Sequence, residues 1–320
     1  MTLSRRMMLF GLAAAGLAQP RLASADMTVT GGRAFGSSWR VSVSAGFDTV
    51  ALETEVAKIV AEVDAVMSPY RQLSDLSRFN ATAVTGWQDM PRSLCEVVAE
   101  ALDIAHRTNG AFDPTVGPLV SRYGFGPIAG ATGQPGDIEV GEEAVRKAVP
   151  DLTLDLCGIA KGYALDRITA RLHALGLTDA LIEIGGEVRA LGRHPDGRGW
   201  QVAVADPTRP DFGVRRVVDP GGWALATSGH AANGISGQYT TSHIIDPKSQ
   251  TPADTALASV TVLAATAMRA DALATALCAA GPVAGAEQAR SLNISALFIT
   301  DGTAAPPEVL TGDFAQHLLI

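Results

Sequence analysis

Residues 152–176, LTLDLCGIAKGYALDRITARLHALG, carry the pattern that decides the fold class. The first five residues, Leu152–Leu156, predict a short strand. The apolar spacing over Ala160–Leu175 predicts a helix that ends at Gly176. The next apolar run, Ala180–Ile184, predicts another strand. Strands and helices therefore occur together in this part of the chain.

The same mixture continues on both sides of this segment. Helices are predicted at Leu52–Val66, Leu94–Thr108 and Ala267–Ala280, strands at Trp39–Ser44, Trp200–Ala205, Leu257–Ala264 and Ala296–Thr300, and a loop at Phe125–Gly141. Because strands and helices do not strictly alternate, we predict an α+β or mixed α/β fold and not a doubly wound parallel sheet. The pattern is compatible with two lobes that close on a cleft, and no linker divides the chain.

The first 25 residues have the layout of a cleavable export signal. Arg5 and Arg6 precede an apolar run, Met7–Ala18, which is too short to span a bilayer, and Ala23–Ala25 offers a cleavage site. The paired arginines resemble a twin-arginine signal, and an ordinary secretory signal is the alternative. We therefore expect a periplasmic protein that consists of one domain, residues 26–320.

Charge and composition exclude several classes of partner. Removal of residues 1–25 leaves 22 basic and 33 acidic residues, a net charge of −11. An acidic protein is a poor candidate for binding nucleic acid or an anionic membrane surface. No later segment is long and apolar enough to span a bilayer, so no stable membrane insertion is expected. Cys95, Cys157 and Cys278 have no disulfide pattern and are expected to be small buried hydrophobic residues.

Two turns in the first half combine polar or aromatic residues that could contact a ligand. In the first, Tyr70 could stack on a flat ring, and Arg71 or Arg78 could bind phosphate. Solvated arginines at a helix end are the alternative. In the second, GAFDPTVGP at 110–118, two glycines and two prolines fix the backbone around Asp113. Asp113 either caps a neighbouring element or holds a ribose or base edge.

The turn at Asp155–Gly162 joins the predicted strand to the predicted helix. Backbone groups at such a junction are free to bind a ligand, and Lys161 could meet a phosphate. The order of residues differs from that of a Walker motif. A simple strand-to-helix turn is the alternative interpretation.

Two later segments carry residues that suit proton transfer and metal binding. His243, within SHIIDP at 242–247, could accept a proton near neutral pH, or could only hydrogen-bond Asp246. Asp271 and Thr275 are four residues apart and share one helix face. A carboxylate and a hydroxyl suit Mg²⁺, whose shell is completed by water and phosphate. The alternative is a solvated Asp271 on a helix capped near Thr266.

Taken in order, six segments resemble the ApbE family, the FAD:protein FMN transferases. They are GAFDPTVGPL (110–119), LDLCGIAKGYALD (154–166), EIGGEVRALG (183–192), ALATSG (224–229), SHIIDP (242–247) and TAMRADALATAL (266–277). The resemblance extends over roughly residues 30 to 310. It implies a mixed α/β fold of two lobes, with mixed sheets around a cleft for FAD.

The resemblance also implies a reaction and a set of site residues. Mg²⁺ would bridge the pyrophosphate of FAD, and FMN would pass to a Thr or Ser hydroxyl of an acceptor flavoprotein while AMP leaves. His243 would deprotonate that hydroxyl. The implied cofactor-contacting residues are Phe35, Tyr70, Ala111, Phe112, Asp113, Asp155, Lys161 and Ile245, and the implied metal ligands are Asp271, Thr275 and a carbonyl of Gly158 or Ala160.

Some positions depart from the family pattern, and some alternatives stay open. The family often has methionine where Phe35 stands, and residues 230–237 differ from its commoner acidic and aromatic version. Some relatives split FAD into FMN and AMP, so an FAD pyrophosphatase is one alternative and an FAD carrier is another. The metal pair and His243 argue against a carrier, because storage needs neither. The acceptor is expected to be a respiratory or electron-transfer flavoprotein.

Overall fold

The computed structural model describes residues 27–209, 213–230, 241–303 and 305–319. The predicted export signal and most of the departing segment 230–237 lie outside these ranges. The described helices are α1 Thr49–Met67, α2 Asp75–Ala81, α3 Arg92–Arg107, α4 Gly117–Arg122, α5 Ala160–Ala174, α6 Ala267–Ala280 and α7 Pro282–Ser291. The described strands are β1 Met27–Ala34, β2 Ser37–Ser44, β3 Gln88–Asp89, β4 Ile138–Val140, β5 Ala144–Lys147, β6 Ala180–Ile184, β7 Glu187–Leu191, β8 Val202–Ala205, β9 Val214–Val218, β10 Ala224–Gly229, β11 Ile245–Asp246, β12 Thr251–Pro252, β13 Leu257–Ala264, β14 Ser295–Thr300 and β15 Glu308–Thr311.

One eight-stranded sheet forms the centre of the molecule, in the order β1-β2-β6-β7-β10-β13-β14-β15. Each neighbouring pair is antiparallel. The predicted α+β class is confirmed. The large sheet is antiparallel, whereas mixed sheets were expected. Tight turns join β1 to β2 and β6 to β7, and such hairpins produce antiparallel pairs. The assignment of residues 26–320 to one domain stays a prediction.

The apolar core lies on both faces of this sheet. Alternation along β10 sends Ala224 and Ala226 to the face covered by helices, while Leu225 packs on the opposite face. The helical face holds the larger core, with α1, α3, α5, α6 and α7 packed against it. The hairpin of β8 and β9 covers the other face, together with Phe314.

Helix α6 lies buried between the sheet and α5. Its first two backbone N–H groups donate to the carboxylate of Asp166 on α5, with N···O distances of 2.8 and 2.9 Å to Ala267 and Met268. The Thr266 hydroxyl accepts from Arg269 N. These bonds satisfy donors that a helix start leaves without intrahelical partners. The N-terminus of α6 is thereby fixed against α5. Along the parts of the chain that the structure describes, no helix is both long and apolar enough to cross a bilayer.

The predicted strand at Leu152–Leu156 is wrong, because side chains satisfy its backbone in place of a neighbouring strand. The Asn80 amide pairs with both the N–H and the carbonyl of Leu154, each at 2.8 Å. The buried ammonium of Lys147 donates to the carbonyl of Leu152 at 2.9 Å. The segment is extended and makes a single isolated bridge, from Leu152 to Ala131. It serves as a tether to α2 and β5.

Two smaller expectations are also corrected. The segment predicted as a loop, 125–141, contains a short 3₁₀ turn, Pro135–Asp137, followed by β4. Cys157 is exposed, while Cys95 and Cys278 are buried as expected. Cys157 lies in the turn before α5, between the buried Leu156 and the start of the helix, and is not part of the core.

Gly162→Ala is expected to destabilise the protein by about 1–3 kcal/mol, because an added side chain would separate α5 from α6. A Cβ on Gly162 would lie 2.2 Å from the carbonyl oxygen of Ala267, which is backbone and cannot move freely. The gain in helix propensity, up to about 1 kcal/mol, is smaller than this cost. Urea denaturation measures the difference. Gly136→Ala is the control, since nothing lies within 4 Å of its Cβ, and equal stability of the two variants would contradict the prediction.

Candidate functional site

The turn before α5 packs directly against one face of α6. The backbone N–H of Gly162 donates to the Asp271 carboxylate, with an N···O distance of 3.0 Å. One helical turn further along α6, Thr275 lies against Gly158: a Cβ on Gly158 would lie 3.0 Å from Thr275 Cγ2 and 3.1 Å from Thr275 Oγ1. The turn and the helix face predicted to hold a metal ion are therefore brought together.

Asp271 is buried, with 2% of its surface exposed, so the alternative of a solvated carboxylate is wrong. The helix is covered on almost every side, because its small alanine residues let α5 and the sheet approach closely. Burial raises the pKa of Asp271, and the nearby Lys161 ammonium and the Gly162 N–H oppose that rise. A carboxylate kept in this position must have polar or cationic partners.

Lys161 forms an ion pair with Glu187, the first residue of β7. Burial disfavours the ammonium, but Asp271 and Glu187 outweigh it and raise the pKa of Lys161. Glu187 is 1% exposed, and its Oε2 has no hydrogen-bond partner among the described residues. Sequence reasoning included Glu187 in the EIGGEVRALG segment without assigning it a role. No local pattern reports this pairing, because Lys161 and Glu187 are 26 residues apart in the chain.

Asp113 and Asp155 are joined through the backbone between their two turns. The N–H of Asp155 donates to the carbonyl of Pro114 at 2.7 Å, which holds the GAFDPTVGP turn beside the turn before α5. Asp113 accepts from the N–H and the hydroxyl of Thr115, and Asp155 accepts from the N–H of Cys157. Burial raises the pKa of both carboxyls, while these hydrogen bonds lower it. Each carboxylate therefore shapes its own turn.

The aromatic residues differ in exposure. Phe112 and Ala111 are buried, and the Phe112 ring lies beside Gly158. Tyr70 is 71% exposed, which leaves its ring free to stack. Charges at Asp155 and Cys157 contribute, after burial, to the raised pKa of Tyr70, so these residues are neighbours. A buried ring, Phe112, therefore contacts the turn before α5, and an exposed ring, Tyr70, lies within electrostatic range of it.

Phe35 lies at the tip of the hairpin between β1 and β2, with a positive φ of 49°. A non-glycine residue in this left-handed region is uncommon and carries backbone strain. Its side chain packs partly against the main core. Arg71 pairs with Asp64 and Arg78 pairs with Asp75, and both guanidinium groups stay largely exposed. A role of either arginine in binding phosphate stays a prediction.

His243 lies in the turn before β11, outside the large sheet. Its Nδ1 is buried and has no hydrogen-bond partner in the described part of the chain. Burial, together with the nearby His230 and Lys161, lowers the pKa of His243 to about 4. The ring of Phe125 lies edge-on, with a centroid separation of 6.1 Å. The imidazole is thus neutral, and its Nδ1 is unpaired among the described residues.

The alternative role for His243, a hydrogen bond to Asp246, is not observed. The Asp246 carboxylate instead accepts from Lys248 N at 3.0 Å and Ser249 N at 3.3 Å, closing the turn between β11 and β12. Ile245 is buried and pairs with Pro252 across this small hairpin. Ile245 therefore supports the hairpin from within, and His243 is left available for a ligand.

The residues near Asp271 fit a divalent cation of the Mg²⁺ type. The donor set is one carboxylate, one hydroxyl on Thr275 and the carbonyls of the turn at Gly158–Ala160, all oxygen. The absence of a side chain at Gly158 keeps open the space between Thr275 and Phe112 that a Cβ would fill. No group of three or more His, Cys, Asp or Glu side chains suited to a metal occurs in the described ranges. A cation held by Asp271 and Thr275 would take its remaining ligands from water or phosphate oxygens.

Comparison with known proteins identifies the family. The profile of the ApbE family matches residues 35–298. The FAD:protein FMN transferase of Vibrio cholerae serotype O1 is 35% identical over 286 residues, which cover 85% of this chain and 86% of that protein. The structure of the flavin transferase ApbE from Vibrio cholerae superposes with a TM-score of 0.82 at 32% identity, over 92% of this chain and 100% of that one. The apo flavinyl transferase ApbE of Pseudomonas stutzeri gives 0.80 at 32% identity, over 91% and 96%.

The fold defines an α+β protein in which the turn before α5 packs against Asp271 and Thr275 on α6. The profile match covers well over half of the chain, and the relatives match along most of their own length. The chain belongs to the ApbE family.

Proposed function

We propose that this chain is an FAD:protein FMN transferase. In the reaction, the hydroxyl oxygen of an acceptor Thr or Ser forms a bond to the phosphorus of the FMN half of FAD. The pyrophosphate bond to the AMP half breaks, and AMP leaves. The observation that carries this proposal is the packing of the turn before α5 on Asp271 and Thr275, with the unused nitrogen of His243 within electrostatic range of Lys161.

His243 would take the proton of the acceptor hydroxyl. A Ser or Thr hydroxyl is a weak nucleophile at neutral pH, and a positioned base is a common solution. His243 is neutral at that pH and its Nδ1 has no partner among the described residues, so the ring can receive a proton. Phosphoryl-type transfer otherwise depends mainly on positioning and charge stabilisation.

Lys161 would bind a phosphate oxygen of FAD, and Glu187 would hold it in place. The ion pair with Glu187 keeps the ammonium charged. Asp113, Asp155, Phe112 and Tyr70 would contact the rest of FAD from the two joined turns. This assignment follows from the shared location of these groups around the turn before α5.

We propose Mg²⁺ as the metal, held by Asp271, Thr275 and a carbonyl of the turn at Gly158–Ala160. When bound there, Mg²⁺ would neutralise charge on the pyrophosphate oxygens. The buried Asp271 carboxylate supplies the negative charge that such a cation requires, and Gly158 leaves the approach open.

The balance of products tests the proposal against its alternatives. The probe is a preparation of exported proteins from the source organism, taken from cells that lack the gene for this chain, and is called here the acceptor extract. A transferase releases AMP in proportion to protein-bound flavin. A pyrophosphatase releases AMP and free FMN in equal amounts, and an FAD carrier releases neither. AMP without protein-bound flavin would contradict the proposal.

The mature protein is proposed to act in the periplasm, beginning near Asp26. Changing both Arg5 and Arg6 to Lys is expected to block export if the route is the twin-arginine pathway. Cell fractionation followed by immunoblotting measures the mature form outside the cytoplasm. Normal export of the double variant would show that the ordinary secretory route is used. The proposed acceptor is an exported respiratory or electron-transfer flavoprotein.

A further inference from the structure

A buried pair of polar side chains, His230 and Ser242, lies immediately beside His243 and has no part in the reaction described above. The Ser242 hydroxyl lies 2.6 Å from His230 Nδ1. Ser242 is fully buried, and His230 is 4% exposed. Buried polar groups are almost always hydrogen-bonded, so the partners of His230 and Ser242 show which parts of the fold this pair connects.

The neighbouring contacts connect this pair to other parts of the fold. The N–H of Ile244 donates to the Ser242 hydroxyl at 3.0 Å, so Ser242 Oγ is bonded to its own turn. Because a hydroxyl can donate one proton and accept two hydrogen bonds, the bond between Ser242 and His230 Nδ1 forms with either tautomer of the ring. His230 Nε2 faces the sulfur of the buried Cys278 at 3.9 Å. Both side chains are thus in contact with further groups of the fold.

His230 is also fixed to rigid parts of the fold. Its backbone N–H donates to the carbonyl of Ala258 at 3.4 Å, which extends the pairing of β10 with β13. Cys278 lies on α6, three residues after Thr275. The turn of residues 242–244 is therefore held to the sheet and to α6 by one imidazole ring.

The structure shows no side chain among the described residues that hydrogen-bonds to His243 Nδ1. The ring contact with Phe125 is an edge-on approach at 6.1 Å. A base normally needs a third group to set its position. Within the described part of the chain, the position of His243 is set by the backbone of its own turn, which is fixed by the bond between Ser242 and His230 and by the bond from Ile244 N–H to Ser242.

We propose that His230 is a positioning residue for FMN transfer, acting through Ser242 to fix the turn that carries His243. This inference rests on the proposed role of His243 as the base. It assigns to His230 no contact with FAD or with the acceptor. Displacement of a reacting group by about 1 Å can reduce a rate on the order of a hundredfold.

The test compares His230→Leu, Ser242→Ala and the double variant with the wild-type protein. Each single change is expected to slow formation of protein-bound flavin in the acceptor extract by about ten- to a hundredfold at saturating FAD. FAD affinity, measured by fluorescence titration, is expected to stay within about twofold, because neither side chain lies on the turn before α5. The double variant is expected to be no slower than the worse single variant, since both changes remove one interaction.

Two further variants keep the test decisive if the leucine variant unfolds. His230→Asn places an amide oxygen near the position of Nδ1, where it can accept from Ser242, and is expected to restore most of the rate. Thr227→Val removes a comparable hydroxyl contact, in which Thr227 Oγ1 lies 2.9 Å from Thr261 Oγ1. Thr227 is on β10, the strand that ends just before His230, and lies outside the turn of residues 242–244. It is expected to transfer at the wild-type rate.

The outcomes separate the inference from the proposed function. If the wild-type protein forms no protein-bound flavin, the proposed function fails. If the wild-type protein transfers and Ser242→Ala transfers at the same rate, the positioning role is wrong while the function stands. Additive losses in the double variant, or equal losses of rate in Thr227→Val, would also overturn the positioning role.

Discussion

Asp271→Asn is expected to reduce FMN transfer by at least about a thousandfold and to abolish its response to Mg²⁺. A metal ion contributes several kcal/mol of charge stabilisation in such sites, and each 1.36 kcal/mol is a factor of ten in rate. Asn keeps an oxygen that can accept from Gly162 N but lacks the negative charge that attracts the cation. Transfer is measured as protein-bound flavin across a Mg²⁺ titration.

The choice of Asn follows from the burial of Asp271. Asp271→Ala would leave the Gly162 N–H without a partner inside the protein, which costs about 1–3 kcal/mol. Loss of activity in the Ala variant could then reflect a shift between α5 and α6. Calorimetric titration of Mg²⁺ into the FAD-bound protein gives a second measurement that does not depend on turnover. Normal transfer with unchanged Mg²⁺ dependence in Asp271→Asn would contradict the metal assignment.

Thr275 provides the matched comparison on the same helix face. Thr275→Val removes a neutral ligand and no charge, so a weaker effect on Mg²⁺ affinity is expected than with Asp271→Asn. Thr275→Ser keeps the hydroxyl and should retain most of the activity. A larger effect from Thr275→Val than from Asp271→Asn would mean that the contact of Thr275 with Ser228, at 3.3 Å, matters more than a metal.

His243→Ala is expected to slow transfer by about 10²- to 10⁴-fold while FAD binds nearly as in the wild type. The reason is that in the proposed mechanism the imidazole takes the proton of the acceptor hydroxyl, and its Nδ1 makes no hydrogen bond to the described residues. Removing a buried ring leaves a cavity, so His243→Gln, which nearly preserves the size, serves as the control for packing. Single-turnover transfer, FAD affinity and melting temperature are measured on each variant.

The pH dependence gives an independent check on His243. A group with an ordinary pKa of 6.5 would produce an acid limb near neutral pH, but its pKa in the folded protein is about 4. Since the neutral ring acts as the base, kcat/KM should be level above about pH 5 and should fall as the pH drops through 4. Bound pyrophosphate brings negative charge and raises the pKa, so the limb in kcat should lie at higher pH.

The same shift affects stability with a defined sign. The unfolded chain binds a proton at His243 near pH 6.5, whereas the folded chain resists it down to about 4. The contribution of the neutral buried ring to the free energy of unfolding is therefore fully present above pH 6.5 and is lost as the pH falls toward 4. His243→Gln should remove the contribution of this ring to the pH dependence of the unfolding free energy.

A stable, FAD-binding His243→Ala protein with a full transfer rate would contradict the assignment of His243 as the base.

Much of the fold could be predicted from the sequence where hydrophobic periodicity and end signals agree. Helix α6 and strand β13 begin and end at the predicted residues, because Thr266 caps one and small turn residues bound the other. The segment Leu152–Leu156 has strand-like composition, but its hydrogen bonds go to Asn80 and Lys147, which are distant in sequence. No local pattern reports such long-range partners.

In the site, too, local patterns were predictable from the sequence and long-range contacts were not. The spacing of Asp271 and Thr275 correctly placed them on one helix face, but the burial of Asp271 depends on how α5 packs, which spacing does not encode. Glu187 lies within the EIGGEVRALG segment and His230 directly follows the ALATSG segment, but the sequence assigned neither residue a role. Each became interpretable only through its partner, Lys161 or Ser242, brought close by the fold.

The most direct test of the transferase activity is mass spectrometry of the acceptor extract after incubation with this protein, FAD and Mg²⁺. The expected result is a peptide whose mass has increased by that of FMN less one water, with the adduct on a Thr or Ser side chain. AMP should appear in equal amount, and Asp271→Asn should give no adduct. Conversion of FAD to free FMN and AMP with no modified peptide would contradict the account, as would unchanged FAD.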